Sequence, residues 1–314
     1  MVLDPQAKAY LDQIAALNMP DVPALSPREA RAQMDLSAMM LGKAPAVGRI
    51  EDRTIPGPAG PVRVRMTVPV DAGQDPLPAL VYFHGGGFVV GSLSSHDHLC
   101  RSITAASGVA VISVDYRLAP EHPYPAAVDD AEAATSYIAA NPHEFGIDPA
   151  RLAVGGDSAG GTLAAVVAQR LATKSHTPLA LQLLIYPATD ADMNTHSYFE
   201  NAEGYLLTRA AMSWYWDQYV PDVARRLDPS ASPLRAKDLS GLPPALMIIA
   251  GHDPLRDEGE AYARRLTEAG VPVKLSRYDG MFHGFLRRYA SLQQGRAALN
   301  EIAEGLKEAL GSQV

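Results

Sequence analysis

Cysteine is nearly absent: Cys100 is the only one in 314 residues. A single thiol excludes an intrachain disulfide and any metal site built on cysteine ligands, and it reads as a small, half-buried apolar position. Positive charge is also short. Lys and Arg number 27 against 35 Asp and Glu, for a formal net charge of −8 and a pI near 5.6. That leaves no basic footprint for nucleic acid or an anionic lipid surface. No window reaches the roughly 18 uninterrupted apolar residues of a membrane span. Met1-Val2-Leu3-Asp4-Pro5 lacks the basic region and apolar run of a signal peptide, so a cytoplasmic location is expected. What remains, 47% hydrophobic and 20% charged residues, is the balance of a folded globular chain without extensive disorder.

Apolar positions spaced three or four apart (Ala7, Leu11, Ile14, Leu17) predict a helix over residues 4–17. A second is predicted over 27–42, opened by Ser26-Pro27-Arg28-Glu29 with a capping serine, proline at the first helical position and an acid in the first turn. After Gly48 the period changes. Residues 49–55 and 62–68 alternate around Gly57-Pro58-Ala59-Gly60, the pattern of an antiparallel hairpin. Short apolar runs then follow at 79–83, 109–114, 152–154, 181–185, 245–249 and 273–278, with helical stretches near 98–107, 127–140, 161–172, 257–269 and 296–310. Continuous apolar strands separated by helices indicate an α/β fold with a mostly parallel sheet covered on both faces. Residues 1–45 precede this rhythm, and residues 188–240, with Trp214, Tyr215, Trp216 and Tyr219, interrupt it. Both are candidates for a cap over the carboxyl edge of the sheet, where ligands bind in such folds. The chain is thus expected to divide into a helical cap segment, 1–45, and a catalytic domain, 46–314, in which 188–240 includes a further cap insertion.

The chemistry concentrates at the strand ends. Gly156-Asp157-Ser158-Ala159-Gly160 lies between a strand and a helix, where Gly-x-Ser-x-Gly puts a serine hydroxyl on a sharp turn above the sheet. A serine needs a base to remove its proton, and His283, in the loop after the last strand, can reach across the sheet edge. The third member must be a carboxylate that holds the histidine, lying between the two in chain order and after a strand. Asp253 meets that requirement, with Asp257 one turn on as its competitor; Asp253-Pro254 would equally start a helix. His84-Gly85-Gly86-Gly87 follows a strand and lacks the Lys-Ser/Thr of a phosphate loop. Its backbone N–H groups at Gly85 and Gly86, with that of Ala159, form a candidate oxyanion hole, and His84 reads as a hydrogen-bonder that fixes the loop. His96-Asp97-His98 is a weak metal signal, three adjacent residues without a distant partner. No metal or cofactor is implied. Phe88, Tyr186, Leu206, Trp214 and Phe282 are the candidate pocket walls by position.

Five blocks carry a family likeness: His84-Gly85-Gly86-Gly87-Phe88, the run Asp115 to Pro123, Gly156 to Gly161, Asp253 to Gly259, and His283-Gly284-Phe285. On these the chain, over about residues 45–310, resembles bacterial esterases of the hormone-sensitive-lipase family of α/β-hydrolases. The resemblance implies an eight-stranded sheet with a helical cap, Ser158-Asp253-His283 as the triad, and cofactor-free hydrolysis of short to medium acyl esters through an acyl-enzyme. It also implies a structural role for the Asp115–Pro123 block and homodimers formed through the last strand, here 273–278. His252, before Asp253, is a small departure from the family pattern. Two rival readings use the same scaffold: an amidase or arylacetamide deacetylase, and a non-enzymatic ligand-binding receptor.

Overall fold

A computed structural model describes residues 2–174 and 178–311. The hairpin forms in the register its alternation predicts, β1 (Arg49–Ile55) against β2 (Val62–Val68), with Arg49 opposite Val68 and Ile55 opposite Val62. β2 then pairs antiparallel with β4 (Ala110–Asp115), and from there every pairing is parallel. The remaining strands are β3 (Leu77–Phe83), β5 (Ile147–Asp157), β6 (Leu181–Ile185), β7 (Ala245–His252) and β8 (Val273–Phe282). The eight stand in the order β1-β2-β4-β3-β5-β6-β7-β8.

Several strands outrun the apolar stretches that mark them. β5 starts at Ile147, through Asp148 and Arg151, because Ile147 already pairs with Leu77. β8 continues through Asp279 and Gly280 to Phe282, across a register shift that sets Phe282 opposite His252. The Gly280 carbonyl also accepts the Asp4 N–H at 3.1 Å, which attaches the amino-terminal segment to this strand end.

The strands carry side chains to two cores. On one face Val81 and Phe83 pack with residues of α4 (Ala126–Ala140), α6 (Ala159–Lys174) and α9 (Arg256–Glu268). On the other, Leu80 and Tyr82 pack with α3 (Asp97–Ser107) and α10 (Gln293–Leu310). This period-two division is why the central strands read as unbroken apolar runs. Cys100 lies in the second core, where burial pushes its thiol pKa up, away from reactivity.

Four strand ends, those of β3, β5, β7 and β8, release the segments that begin His84, Ser158, Asp253 and His283. Over them lie α1 (Pro5–Ala16), α2 (Pro27–Met39) and α8 (Arg209–Tyr219). The stretch 188–240 also holds α7 (His196–Glu200) and two 3-10 turns. One further short helix, α5 (Pro142–Phe145), precedes β5. Asp4 caps α1, accepting the Gln6 N–H at 2.8 Å. Ser26 and Glu29 cap α2 reciprocally, at 3.3 Å and 2.8 Å. Both helices end short of the predicted 17 and 42.

Arg31 fastens α2 to the body. Its Nε donates to the Val89 carbonyl at 2.8 Å, Nη2 to that of Ala119 at 2.9 Å, and the fork holds Glu121 at 2.8 and 2.6 Å. This gives the Asp115–Pro123 block a structural task, as does Tyr116, whose hydroxyl donates to the His84 carbonyl at 2.6 Å. The Arg31 hydrogen bond holds the Glu121 carboxyl at about 2, against an ordinary 4.5. A depressed acid contributes stability above its unfolded pKa and loses it as pH falls toward the folded value. Because Glu121 is 55% exposed, that contribution is small. Arg31→Met is expected to leave global stability within about 1 kcal/mol while speeding hydrogen exchange across residues 27–39. Acidification below 4.5 should loosen α2 in the wild type in the same sense. Unchanged exchange in α2 in the variant would show that Arg31 is not its anchor.

Candidate active site

Ser158 joins β5 to α6 with φ at +57°, a left-handed conformation that costs a non-glycine residue about 1–3 kcal/mol. The turn is possible because its neighbours have no Cβ. At Gly160 a Cβ would strike the carbonyl of Phe83, and at Gly156 it would strike both that carbonyl and the Gly160 backbone. The strained residue is held by its own N–H, which donates to the Ile185 carbonyl at 2.8 Å.

The turn points the Ser158 hydroxyl at His283, with Oγ 3.0 Å from Nε2. On the other side of the ring, Nδ1 lies 2.7 Å from Asp253 Oδ2. Asp253 is fully buried, and its second oxygen accepts the Leu255 N–H at 2.8 Å. The carboxylate therefore tethers the start of the α9 segment and faces the histidine at once. Asp257 is occupied elsewhere, accepting the Ser197 N–H at 2.7 Å and Arg256 Nε at 2.9 Å. Tyr186 braces the imidazole, ring to ring at 4.7 Å.

Beside this line, the His84–Gly87 loop is fixed from below. Asp157, buried, accepts the Tyr82 hydroxyl at 2.7 Å and the Gly85 N–H at 3.0 Å, and faces His96 Nε2 at 3.4 Å. Burial alone would raise the Asp157 carboxyl. The facing His96, the Arg287 guanidinium and the Tyr82 hydroxyl outweigh it and hold the acid well below the usual carboxylate range. His84 stacks on Tyr116 at 4.3 Å with Nδ1 2.8 Å from the Gly85 carbonyl, and burial pushes its pKa down to about 3. It is a neutral hydrogen-bonder that shapes the loop.

These contacts change the expectation for the oxyanion hole. The Gly85 N–H is committed to Asp157, so it is not free to meet a ligand. All three glycines line the cavity, and the backbone N–H groups of Gly86 and Gly87 have no partner among the described residues. Ala159 is the first residue of α6, where a helix N–H has no intrahelical acceptor. His96, Asp97 and His98 diverge, toward Asp157, toward Arg65 and Arg101, and toward Tyr289.

A cavity of about 730 Å³ opens above Ser158. Phe88 and Leu206 line it, as their positions suggested. Tyr186, Trp214 and Phe282 do not. Tyr186 is buried against His283, and Phe282 turns into the core and stacks on Tyr10 at 5.6 Å. On α8 the cavity face is Met212, Tyr215, Trp216 and Tyr219, spaced three and four apart. Trp214 falls off that face and packs edge-on against Tyr215. The lining also includes Tyr10 and Met34 from the amino-terminal helices, and Arg287 and Arg288 beyond His283. No motif marks these four; two consecutive arginines so soon after His283-Gly284-Phe285-Leu286 were the available signal.

Comparison with known proteins agrees with this geometry. A family model described as the alpha/beta hydrolase fold matches residues 80–287. The chain is 46% identical over 267 residues to carboxylic ester hydrolase LipN of Mycobacterium tuberculosis, covering 82% of this chain and 70% of that one. It is 41% identical over 319 residues to an ethyl acetate hydrolase of Pseudomonas putida, covering 99% and 100%. Among solved structures, an ester hydrolase from the Lake Arreo metagenome, complexed with a bipyridine phosphonate derivative, superposes with a TM-score of 0.96 at 43% identity, over 99% of this chain and 100% of that one.

Asp157→Asn keeps the size of the side chain but removes the negative charge that His96 and Arg287 face and one of its acceptor oxygens. The expected result is a loss of roughly 1–3 kcal/mol in urea unfolding, with faster amide exchange over residues 84–88. Wild-type stability and protection in this variant would mean that the loop is held by something else.

Proposed function

Because the chain belongs to the α/β-hydrolase family, in its hormone-sensitive-lipase branch of carboxylic ester hydrolases, we propose that Ser158 is its nucleophile, His283 the general base and acid, and Asp253 the acid that orients His283. The observation that carries this reading is the unbroken line Asp253–His283–Ser158, at 2.7 and 3.0 Å, on the floor of the cavity.

With its proton on Nδ1, donated to Asp253, His283 presents the Nε2 lone pair to the Ser158 hydroxyl. As Oγ bonds to the ester carbonyl carbon, its proton passes to Nε2 and the carbonyl electrons move onto oxygen. The N–H groups of Gly86, Gly87 and Ala159 receive that oxyanion; a donor of this kind is worth about 10²–10³ in rate. Gly85, whose N–H is held by Asp157, positions the loop. The imidazolium is stabilised by buried Asp253. Collapse of the intermediate breaks the bond to the alcohol, which leaves with the Nε2 proton. Water then gives a proton to His283, attacks the acyl carbon and releases the acid, and Ser158 recovers its proton. Ester and water become acid and alcohol with no cofactor in the balance. The size of the cavity and the Phe88, Leu206, Met212 and Trp216 side chains around it favour short to medium acyl groups.

We read the residues 1–45 and the 188–240 stretch as the cap of this site, and the cytoplasm as its location. The assembly we favour is a homodimer through β8, the last strand of the sheet order, whose outer rung leaves Leu275 42% exposed.

Two outcomes are expected. Ser158→Ala should lower hydrolysis of a short-chain aryl ester by about 10⁴-fold or more with the melting curve retained; undiminished turnover in the folded variant would sink the assignment. For the dimer, light scattering should give twice the chain mass for the wild type and the single-chain mass for Leu275→Glu, which sets like charges across the two-fold axis. A monomeric wild type would refute it.

A further inference from the structure

Two arginines stand just beyond His283, on the 3-10 turn Phe285–Arg288, and both line the cavity. Neither makes an ion pair with a carboxylate among the described residues. Arg287 is 9% exposed; its Nη1 donates to the Met34 sulfur at 3.1 Å, its Nη2 to the Ser95 carbonyl at 3.1 Å, and its buried Nε has no partner. Arg288 Nη2 donates to Ser37 Oγ at 2.6 Å, and its guanidinium lies 5.5 Å from the centre of the Tyr10 ring. Burial and the charge of Arg287 push the Arg288 pKa down, with Tyr10 acting in the opposite sense.

A guanidinium withdrawn from water without a bonded counter-charge is costly, and two side by side repel. Asp157 feels the charge of Arg287, but its oxygens face Tyr82, Gly85 and His96, and no Arg287 N–H bonds to it. Of the five N–H bonds of Arg287, two are engaged, both with uncharged acceptors. The fold therefore holds positive charge without a bonded counter-ion at the wall of a mostly apolar chamber, which Asp157 also lines.

Its place identifies the half of the substrate it would meet. The acyl group stays on Ser158 with its oxygen under the glycine loop, whereas the alcohol oxygen must reach His283 Nε2 to take its proton. Groups on the turn that follows His283, and on the amino-terminal helices packed against that turn, therefore face the alcohol half.

We propose that Arg287 and Arg288 form an oxyanion-recognition subsite, and that the preferred esters carry a carboxylate on the alcohol half. Guanidinium suits such a group, because its planar N–H fork matches the two oxygens of a carboxylate. This specificity rests on the triad assigned above.

The test compares 4-acetoxybenzoate with neutral 4-acetoxybenzamide, each kcat/KM being divided by the alkaline hydrolysis rate of the same ester. The wild type should favour the anion about tenfold or more, the effect of one hydrogen bond to a charged group. Arg287→Gln and Arg288→Gln should each remove about tenfold from that ratio, whatever either does to the absolute rates. A wild-type ratio at or below one overturns the proposal. So does a ratio retained in both variants, which would make Arg287 only a counter-charge for Asp157. Should the variants not fold, competitive inhibition of the wild type by 4-hydroxybenzoate and 4-hydroxybenzamide decides. The anion must bind about tenfold tighter, and equal or weaker inhibition overturns the subsite. Failure of the triad reading is a separate result: neutral 4-acetoxybenzamide would not be turned over, or would be turned over equally by Ser158→Ala.

Discussion

The carboxylate of Asp157 joins the two halves of the site. It belongs to the residue before Ser158, and it accepts the first N–H of the glycine loop. The position of the serine and the position of the loop that would receive the developing charge are therefore set by one buried side chain. Tyr82, from the middle of the sheet, and His96, from the opening of α3, fix that side chain in turn. The facing His96, the Arg287 guanidinium and the Tyr82 hydroxyl hold this acid well below the usual carboxylate range, so the ionised form is part of the architecture. A second buried acid repeats the logic: Asp253 accepts from the His283 ring with one oxygen and from the backbone of the next segment with the other. Each acid does structural work with one contact and aligns the chemistry with another.

These acids stand where they do because of the sheet. Parallel strands deliver their carboxyl ends to one edge, so β3, β5, β7 and β8 release their loops into a common space although the residues concerned lie far apart in the chain. The two cores on either face hold those ends in register. Close contact between the start of α6 and the end of β3, where no Cβ fits at Gly160, brings the Ser158 turn against the glycine loop.

The parts of the site under the tightest steric control were the parts legible in sequence. A serine in a left-handed turn needs glycines around it, and a loop with turned backbone N–H groups needs a glycine run, so both leave fingerprints. The strand order could be followed because each buried run is apolar from end to end. Strand limits at Ile147 and Phe282 escaped, since polar residues there are held by pairing and not by apolar burial. The choice among the three loop glycines also escaped, because it depends on which N–H a partner distant in sequence captures. The pocket wall was least legible. Whether Trp214 or Tyr215 faces the cavity is decided by the rotation of α8, and the contributions of α1 and α2 by how Arg31 docks the second of them.

Exclusion of water links the chemistry to the arginines. Charge–charge and charge–dipole interactions strengthen as the effective dielectric falls, so under the proposed cap the glycine-loop N–H groups and the His283–Asp253 pair would be more effective than in solvent. Burial likewise makes a guanidinium without a bonded counter-charge expensive. A wall that needed only to be apolar would be better served by leucine or methionine, which pack without a desolvation cost. Arg287 instead occupies that wall with one N–H bonded to a thioether and another to a carbonyl. The overall charge of −8 does nothing to attract an anion from solution. Selection for one would therefore have to act at short range, inside the cavity.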